Sequence, residues 1–482
     1  MSEFLVYNAI FGDGHFERVA LGKLLNKGGA AGKIYECPIY PDMVAKVFHD
    51  KSKSKTNRQK LEAMIQNKPN IPIIETGGKR YVQIAWPEAV LEDDEGFCSG
   101  YLMPLINTEE AVSLDHLMQK AVRQKEHLTE KYEDRIKAAF NVTAMVAALH
   151  QCGHHIVDLK PANVSVYKDN MAVAMYDCDG FSINGQSVRY PAEFVSEEYI
   201  YPEGMNENPE DMGEEQDKFA LAVIIFKLLN NGIHPFVGTL RNKEEEKLDI
   251  QTRIEQYHYA YGVWPDKYQA PHPYSIHEYF EKSTLDMFER AFAKNGKRPT
   301  AKEWYSHLDY LLEVVKTRQC KKDKNHVYFT NKGCGLCAVE QKFKMKLSAV
   351  EKEKQGQQKL RGFEVGNLTT EKTQTFKQMK QRAFNRLNKL AVLLCVGHLV
   401  LWTILPIYAA RFKDVLSSKG YFLQLLAGVL ILKTIFVLLN KLQKFLPLLQ
   451  NAALLYMLKI YAVFNAVVCF IVVNGIGWTL LK

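Results

Sequence analysis

The stretch "HHIVDLKPANVSVYKDNMAVAMYDCDGF", residues 154–181, sets Asp158, Lys160, Asn163, Asp177 and Asp179 close together in the chain. Carboxylates and an amide at such spacing can hold a divalent cation, an ammonium can offset clustered negative oxygens, and a remaining carboxylate can face an incoming hydroxyl. Those are the needs of phosphoryl transfer, which depends on alignment and fixed charge more than on covalent chemistry. The plain alternative is three solvated turn acids and amides. The order of Asp158, Asn163 and Asp177 around "LKPAN", together with a lysine far upstream, argues against it.

That lysine is Lys46, in "MVAK", and it follows a glycine cluster in "NKGGAAGKIY". Gly28, Gly29 and Gly32 would let backbone N–H groups approach phosphates, and Lys46 would pair with α- and β-phosphate oxygens. An ordinary tight hairpin explains the same glycines equally well. Stepping out to the elements that must carry these groups, residues 16–50 read as a hairpin followed by a third strand bearing Lys46. "TNRQKLEAMIQN" reads as a helix, with Glu62 placed to hold Lys46 by an ion pair. "RYVQIAWPEAVLED" and "GFCSGYLMPLI" supply further strands, and Met103-Pro104-Leu105 is a connection to a second lobe against which an adenine could lie.

On these residues the sequence resembles the protein kinase superfamily, especially bacterial kinase-like proteins with a Cys/His-rich extension. The resemblance covers roughly residues 15–315 and continues selectively to 340. It implies a bilobal α+β fold in which Asp158 accepts or orients the substrate hydroxyl proton, Lys160 stabilises the transferring phosphate, and Asn163 holds magnesium. Asp177 becomes the principal metal ligand, with Asp179 either assisting a second ion or receiving a local hydrogen bond. Tyr201-Pro202-Glu203 resembles the end of a kinase activation segment, Arg298 its distant ion-pair partner, and Asp217 the residue that braces the catalytic loop. Two departures stand out: Ile156 and Val157 occupy the places of the usual His and Arg, and "DCDG" replaces Asp-Phe-Gly. Loss of that arginine removes the common partner of an activating phosphate.

After the helical "TAKEWYSHLDYLLEVVKT", Cys320, His326, Cys334 and Cys337 form a C-x5-H-x7-C-x2-C pattern. Thiolates and an imidazole suit tetrahedral Zn²⁺, and four protein ligands suit a structural site. A redox pair at Cys334 and Cys337, or unrelated cysteines, are the alternatives. The kinase relatives that this chain resembles place such a knuckle after the C-terminal lobe, which favours zinc.

The chain has 482 residues, is 47% apolar and carries nine cysteines, an odd and scattered count that fits a reducing compartment and not a disulfide framework. Its N-terminus lacks the pattern of a cleaved secretory leader. The net charge of +8 is local, because residues 341–389 hold thirteen Lys or Arg against four Glu. That placement excludes a nucleic-acid-binding surface spread over the protein, and no specific nucleic-acid module is found. Residues 390–410, 421–439 and 460–481 are long apolar runs that predict two or three membrane helices, with Lys433 interrupting the second.

The expected organisation is a protein-kinase-like domain over 12–315, a zinc knuckle over 316–340, a basic juxtamembrane linker over 341–389 and an all-helical membrane region over 390–482. The expected activity is ATP- and Mg²⁺-dependent transfer to Ser or Thr hydroxyls of a protein substrate. The catalytic region is expected in the cytoplasm, tethered by several passes to a bilayer, a bacterial inner membrane. The competing expectation is a membrane-anchored pseudokinase or nucleotide-binding scaffold that recruits partners.

Overall fold

In the computed structural model, residues 5–26, 31–50, 52–315, 317–345 and 348 are described. The chain divides into compact units of residues 1–352 and 353–482. The second unit lies outside the described residues, as do the expected membrane spans and most of the basic linker. Among the described residues no helix is long and apolar enough to cross a membrane.

A seven-stranded sheet builds the N-terminal part, in the spatial order β2-β1-β8-β9-β5-β4-β3. Its strands are β1 (Val6–Phe11), β2 (Phe16–Ala20), β3 (Leu24–Asn26), β4 (Gly32–Glu36), β5 (Met43–Phe48), β8 (Ala89–Glu92) and β9 (Cys98–Pro104), with β6 (Ile74–Thr76) and β7 (Lys79–Tyr81) forming a separate hairpin. The sheet thus begins at Val6, ahead of the boundary expected at residue 12. The β1–β2 hairpin joins the sheet through β1 against β8, so it extends the edge away from Lys46. Helix α1 (Ser54–Gln66) falls where "TNRQKLEAMIQN" predicts it and buries Leu61 and Met64. Strand β9 continues through Pro104, so the connection to the next lobe starts at Leu105, not Met103.

The second lobe is mainly helical. It opens with β10 (Ala111–Ser113), α2 (Leu114–Met118), α3 (Lys120–Lys125) and the long α4 (Tyr132–Gln151). Strands β11 (Val164–Tyr167) and β12 (Val173–Met175) pair beside β10 and carry the chain from Asn163 back to Asp177. The hairpin β13 (Ile183–Gly185) and β14 (Val188–Tyr190) follows, then α5 (Glu214–Leu229), β15 (Gly238–Leu240), α6 (Ile250–Glu255), β16 (Gln269–Pro271), α7 (Lys282–Phe292) and α8 (Ala301–Glu313).

Helix α5 is apolar on every side from Phe219 to Phe226, and these residues are wholly buried, as befits the central helix of a lobe. Around it, Phe226 meets Phe288 edge-on with centroids 4.9 Å apart, and Phe288 meets Trp304 at 5.0 Å. Helix α8 starts at a capping box in which Thr300 and Glu303 satisfy each other's backbone N–H groups. A kinase-like bilobal α+β arrangement is therefore supported by the described residues.

Two buried imidazoles make this lobe sensitive to acid. His234 donates through Nε2 to the Glu198 carbonyl at 3.2 Å, and His307 sits 2.8 Å from the Thr284 hydroxyl. Burial pushes His234 down to about 3 and His307 down to about 4. Both folded values lie below the value near 6.5 of an unfolded histidine, so their stabilisation is complete above that pH and is lost as pH falls toward the folded values. Each group contributes at most about 1.4 kcal/mol per pH unit in that window. The urea midpoint is expected to fall between about pH 7 and about pH 5, and less so in His307→Gln; equal midpoints in the parent chain would contradict the assignment. Separately, Phe226→Ala should cost about 3–5 kcal/mol in the same denaturation measurement.

Candidate active site

Strand β5 places Lys46 opposite Ile34 of β4 on one side and opposite Tyr101 of β9 on the other. The strands run close together at this point. A Cβ on Gly32 would lie 2.5 Å from the Val47 carbonyl oxygen, and one on Gly100 would lie 2.0 Å from that of Lys46. Gly32 thus has a packing reason beside any approach to phosphate, and Gly100 is a requirement that the sequence alone did not reveal. Gly28 and Gly29 lie outside the described residues. Met103 is half-buried and pairs with Val44, two residue pairs along the ladder from Lys46 and Tyr101.

Lys46 is almost fully buried, and its Nζ lies 3.2 Å from Asp177 Oδ1 and 2.7 Å from Asp179 Oδ1. Burial by itself lowers an ammonium pKa, but Asp179 and Asp177 outweigh it and hold Lys46 above its ordinary value. The buried Tyr101 hydroxyl donates to the same Asp179 oxygen at 2.9 Å. Asp177 sits in the left-handed region, at φ 53°, with its side chain 66% exposed, whereas that of Asp179 is 13% exposed. Cys178 between them is wholly buried, and burial with the two neighbouring carboxylates keeps its thiol protonated.

The expected Glu62–Lys46 pair is not present. Glu62 accepts from Arg58 Nε at 2.8 Å, one helical turn earlier, and Arg58 also reaches Glu92. The i,i+4 spacing brings Arg58 and Glu62 together on α1, so the helix satisfies this carboxylate itself. Lys60, two residues before Glu62, donates instead to the Pro191 carbonyl at 3.1 Å.

The loop from Ile156 to Asn163 brings the other predicted groups together. Lys160 Nζ lies 2.6 Å from Asp158 Oδ2 and donates to Ser196 Oγ at 2.8 Å. Asn163 Nδ2 donates to the Asp158 carbonyl at 3.2 Å, and the Asn163 carbonyl accepts from Tyr176 N at 3.0 Å. This links the loop to the turn that holds Asp177. Asp158 Oδ1 is buried and has no hydrogen-bond partner among the described residues, leaving an acceptor for an incoming hydroxyl.

The loop is held by Asp217, which is fully buried at the start of α5. Its two oxygens accept from Ile156 N and Val157 N, each at 2.7 Å, and one also lies 2.9 Å from His150 Nε2. Val157 is at φ 62°, a costly conformation for a β-branched residue that persists where the surroundings fix it. The neighbouring Gln216 donates to the Val157 and Tyr199 carbonyls at 3.1 and 2.8 Å and accepts from Tyr201 N. Nothing in the sequence reading singled out Gln216, Ser196 or Tyr101. Arg298 pairs with Glu203, as its position predicts, and with Glu215.

Residues 101–310 match the family described as Protein kinase domain. The chain is 28% identical over 335 residues to Protein kinase YegI of Escherichia coli (strain K12), an alignment covering 67% of this chain and 49% of that protein. The same identity and coverage hold for Protein kinase YegI of Escherichia coli O157:H7. These matches support a protein-kinase-like domain. The chain spans about half the length of these curated relatives. Within the kinase-like domain, the matched segment includes Asp158 through Asp179 and begins inside β9, while Lys46 and the other strands of its sheet lie before its first residue.

A second constellation lies after α8. The ligand atoms of Cys320, His326, Cys334 and Cys337 all fall within 4.8 Å of one another, a spacing that fits one tetrahedral ion. Strands β17 (Arg318–Gln319) and β18 (Val327–Tyr328) set the first two, and the turn at Gly333 sets the second two. The cluster is docked on the helical lobe: Tyr132 N donates to the Asn325 carbonyl at 3.0 Å, and Lys332 donates to the Glu278 carbonyl.

The bracing of the loop has a direct test. Asp217→Asn replaces an acceptor with a donor against at least one of the N–H groups and should lower stability by about 1–3 kcal/mol in urea unfolding. Hydrogen exchange at the Ile156 and Val157 amides should accelerate in the same variant. Unchanged protection would separate the loop from Asp217.

Proposed function

We propose that the chain is an ATP- and Mg²⁺-dependent protein kinase acting on Ser or Thr hydroxyls, tethered to a bilayer by its C-terminal apolar runs and stiffened by a structural zinc site. The observation that carries the catalytic reading is the linked set Lys46–Asp177, Tyr176–Asn163 and Asn163–Asp158–Lys160. The exposed Asp177 carboxylate and Asn163 amide suit Mg²⁺, which neutralises phosphate charge when bound. Lys46 would pair with phosphate oxygens, releasing its present hold on Asp177. Asp158 would orient the acceptor hydroxyl through its unpartnered oxygen, and Lys160 would face the transferring group.

Protein acceptors are favoured over small molecules because the features that shape the lobe beyond the chemistry, Glu203–Arg298 and the Asp217 brace, are those of the protein-directed domain. The bilayer assignment rests on the three apolar runs and the basic residues Lys377, Lys380, Arg382, Arg386 and Lys389 before the first, which favour a cytoplasmic catalytic region. The zinc assignment rests on the donor set and its convergence. A second reading, a nucleotide-binding scaffold without transfer, draws on the occupation of Asp177 by Lys46 and on Ile156-Val157 preceding Asp158.

Incubation of the purified chain with labelled ATP and Mg²⁺ decides between them. Phosphate incorporation is expected into an added protein acceptor, at Ser or Thr by mass spectrometry. It should fall by about 10²–10⁴-fold in Asp158→Asn and in Lys46→Met. Nucleotide binding without transfer to any acceptor or to the chain itself would favour the scaffold. Elemental analysis should find one zinc per chain, and Cys337→Ser should lose the metal together with thermal stability. A metal-free parent chain that melts identically after chelation would remove the zinc assignment.

A further inference from the structure

The buried ammonium of Lys46 needs a carboxylate to hold it, and α1 does not provide one. Glu62 is turned to Arg58, and the α1 side chain whose charge interacts with Asp179 is a cation, Lys60. Asp179 has the features of the missing partner. Its Oδ1 is 2.7 Å from Lys46 Nζ and receives the Tyr101 hydroxyl at 2.9 Å, while Tyr101 stands directly opposite Lys46 across the β5–β9 ladder. Asp177, by contrast, is the longer contact and the open one.

We propose that Asp179, fixed by Tyr101, is the positioning residue for Lys46, and that Asp177 alone of the two acids serves the metal. The inference rests on the nucleotide-dependent reading above and deepens it. Its consequence is regulatory: where Lys46 is held from a helix, movement of that helix can switch it, but here the hold comes from the turn following β12 and from a neighbouring strand. Lys46 therefore stays in register whatever position α1 takes.

Lys46 can be read without turnover, because an acyl-phosphate derivative of ATP transfers its acyl group to a lysine amine lying beside the phosphates, with ATP as the leaving group. The intact chain and its variants are labelled, and acylated Lys46 is quantified by mass spectrometry after melting curves have confirmed folding. Asp179→Asn is expected to lower labelling about tenfold or more, Tyr101→Phe to lower it less, and Asp179→Glu to recover part of it, in keeping with loss of one charge-assisted contact. Glu62→Gln should leave labelling unchanged. The Mg²⁺ concentration that half-saturates nucleotide binding should rise in Asp177→Asn and stay put in Asp179→Asn.

The proposal is overturned if Glu62→Gln loses labelling as Asp179→Asn does, if Asp179→Asn and Tyr101→Phe both keep it, or if Asp179→Asn shifts the Mg²⁺ requirement as Asp177→Asn does. A parent chain in which Lys46 is labelled but no phosphate is ever transferred would end the kinase reading and leave the Lys46 assignment standing. A parent chain in which Lys46 resists labelling while binding nucleotide would end both.

Discussion

Two backbone N–H groups donating to one buried carboxylate fix the loop that carries Asp158. Asp217 has no exposure to solvent, so its charge must be met by hydrogen bonds from inside the fold, and the donors are Ile156 N, Val157 N and His150. Charge-assisted bonds of this kind are short and strong, and together they hold Val157 in a backbone conformation that it would otherwise leave. Asp158 follows directly, so its carboxylate is aimed by a residue on α5 that touches no reacting atom. Because α5 is buried along its length among Phe288, Phe292 and Trp304, the aim of the loop is set by the core of the lobe.

The same reasoning organises the other side of the cleft. Lys46 is desolvated by its strand position, and a buried ammonium persists only with carboxylates beside it. Both come from the Asp177–Asp179 turn, which is also tied to the loop through Tyr176 and Asn163. At Lys46 the sheet and the helical lobe therefore meet through paired charges. Gly100 matters here by allowing β9 to approach the Lys46 backbone closely enough for Tyr101 to reach Asp179.

Much of this was legible in the sequence where local pattern and chemistry coincide. The Cys and His cluster was readable from residue type and spacing, whereas Asp217 at the head of its helix and Glu203 with its distant Arg298 were implied by the resemblance to the kinase superfamily. The pairing of Glu62 was not legible, because α1 carries Arg58, Lys60 and Glu62 in close succession, and sequence gives the helical phase of such a run less firmly than the neighbours each charge will find. Asp179 was read as a metal ligand or a local hydrogen-bond acceptor because an Asp-x-Asp pair has no periodicity to say which acid turns inward. Tyr101 and Gly100 gave no signal at all: each matters through a cross-strand partner more than fifty positions away. The hairpin at Val6–Ala20 gave little signal because its first strand, VYNAIF, reads as no more than a brief apolar patch.

The Cys/His cluster is more than an appendage to α8. Val327, Phe329, Leu336 and Val339 pack against the same apolar core as α4 and α5, and Asn325 caps the first backbone N–H of α4. Trimming the chain at the end of α8 would therefore strip a lid from that core and leave greasy surface in water, so the smallest piece that folds on its own must extend past Val339.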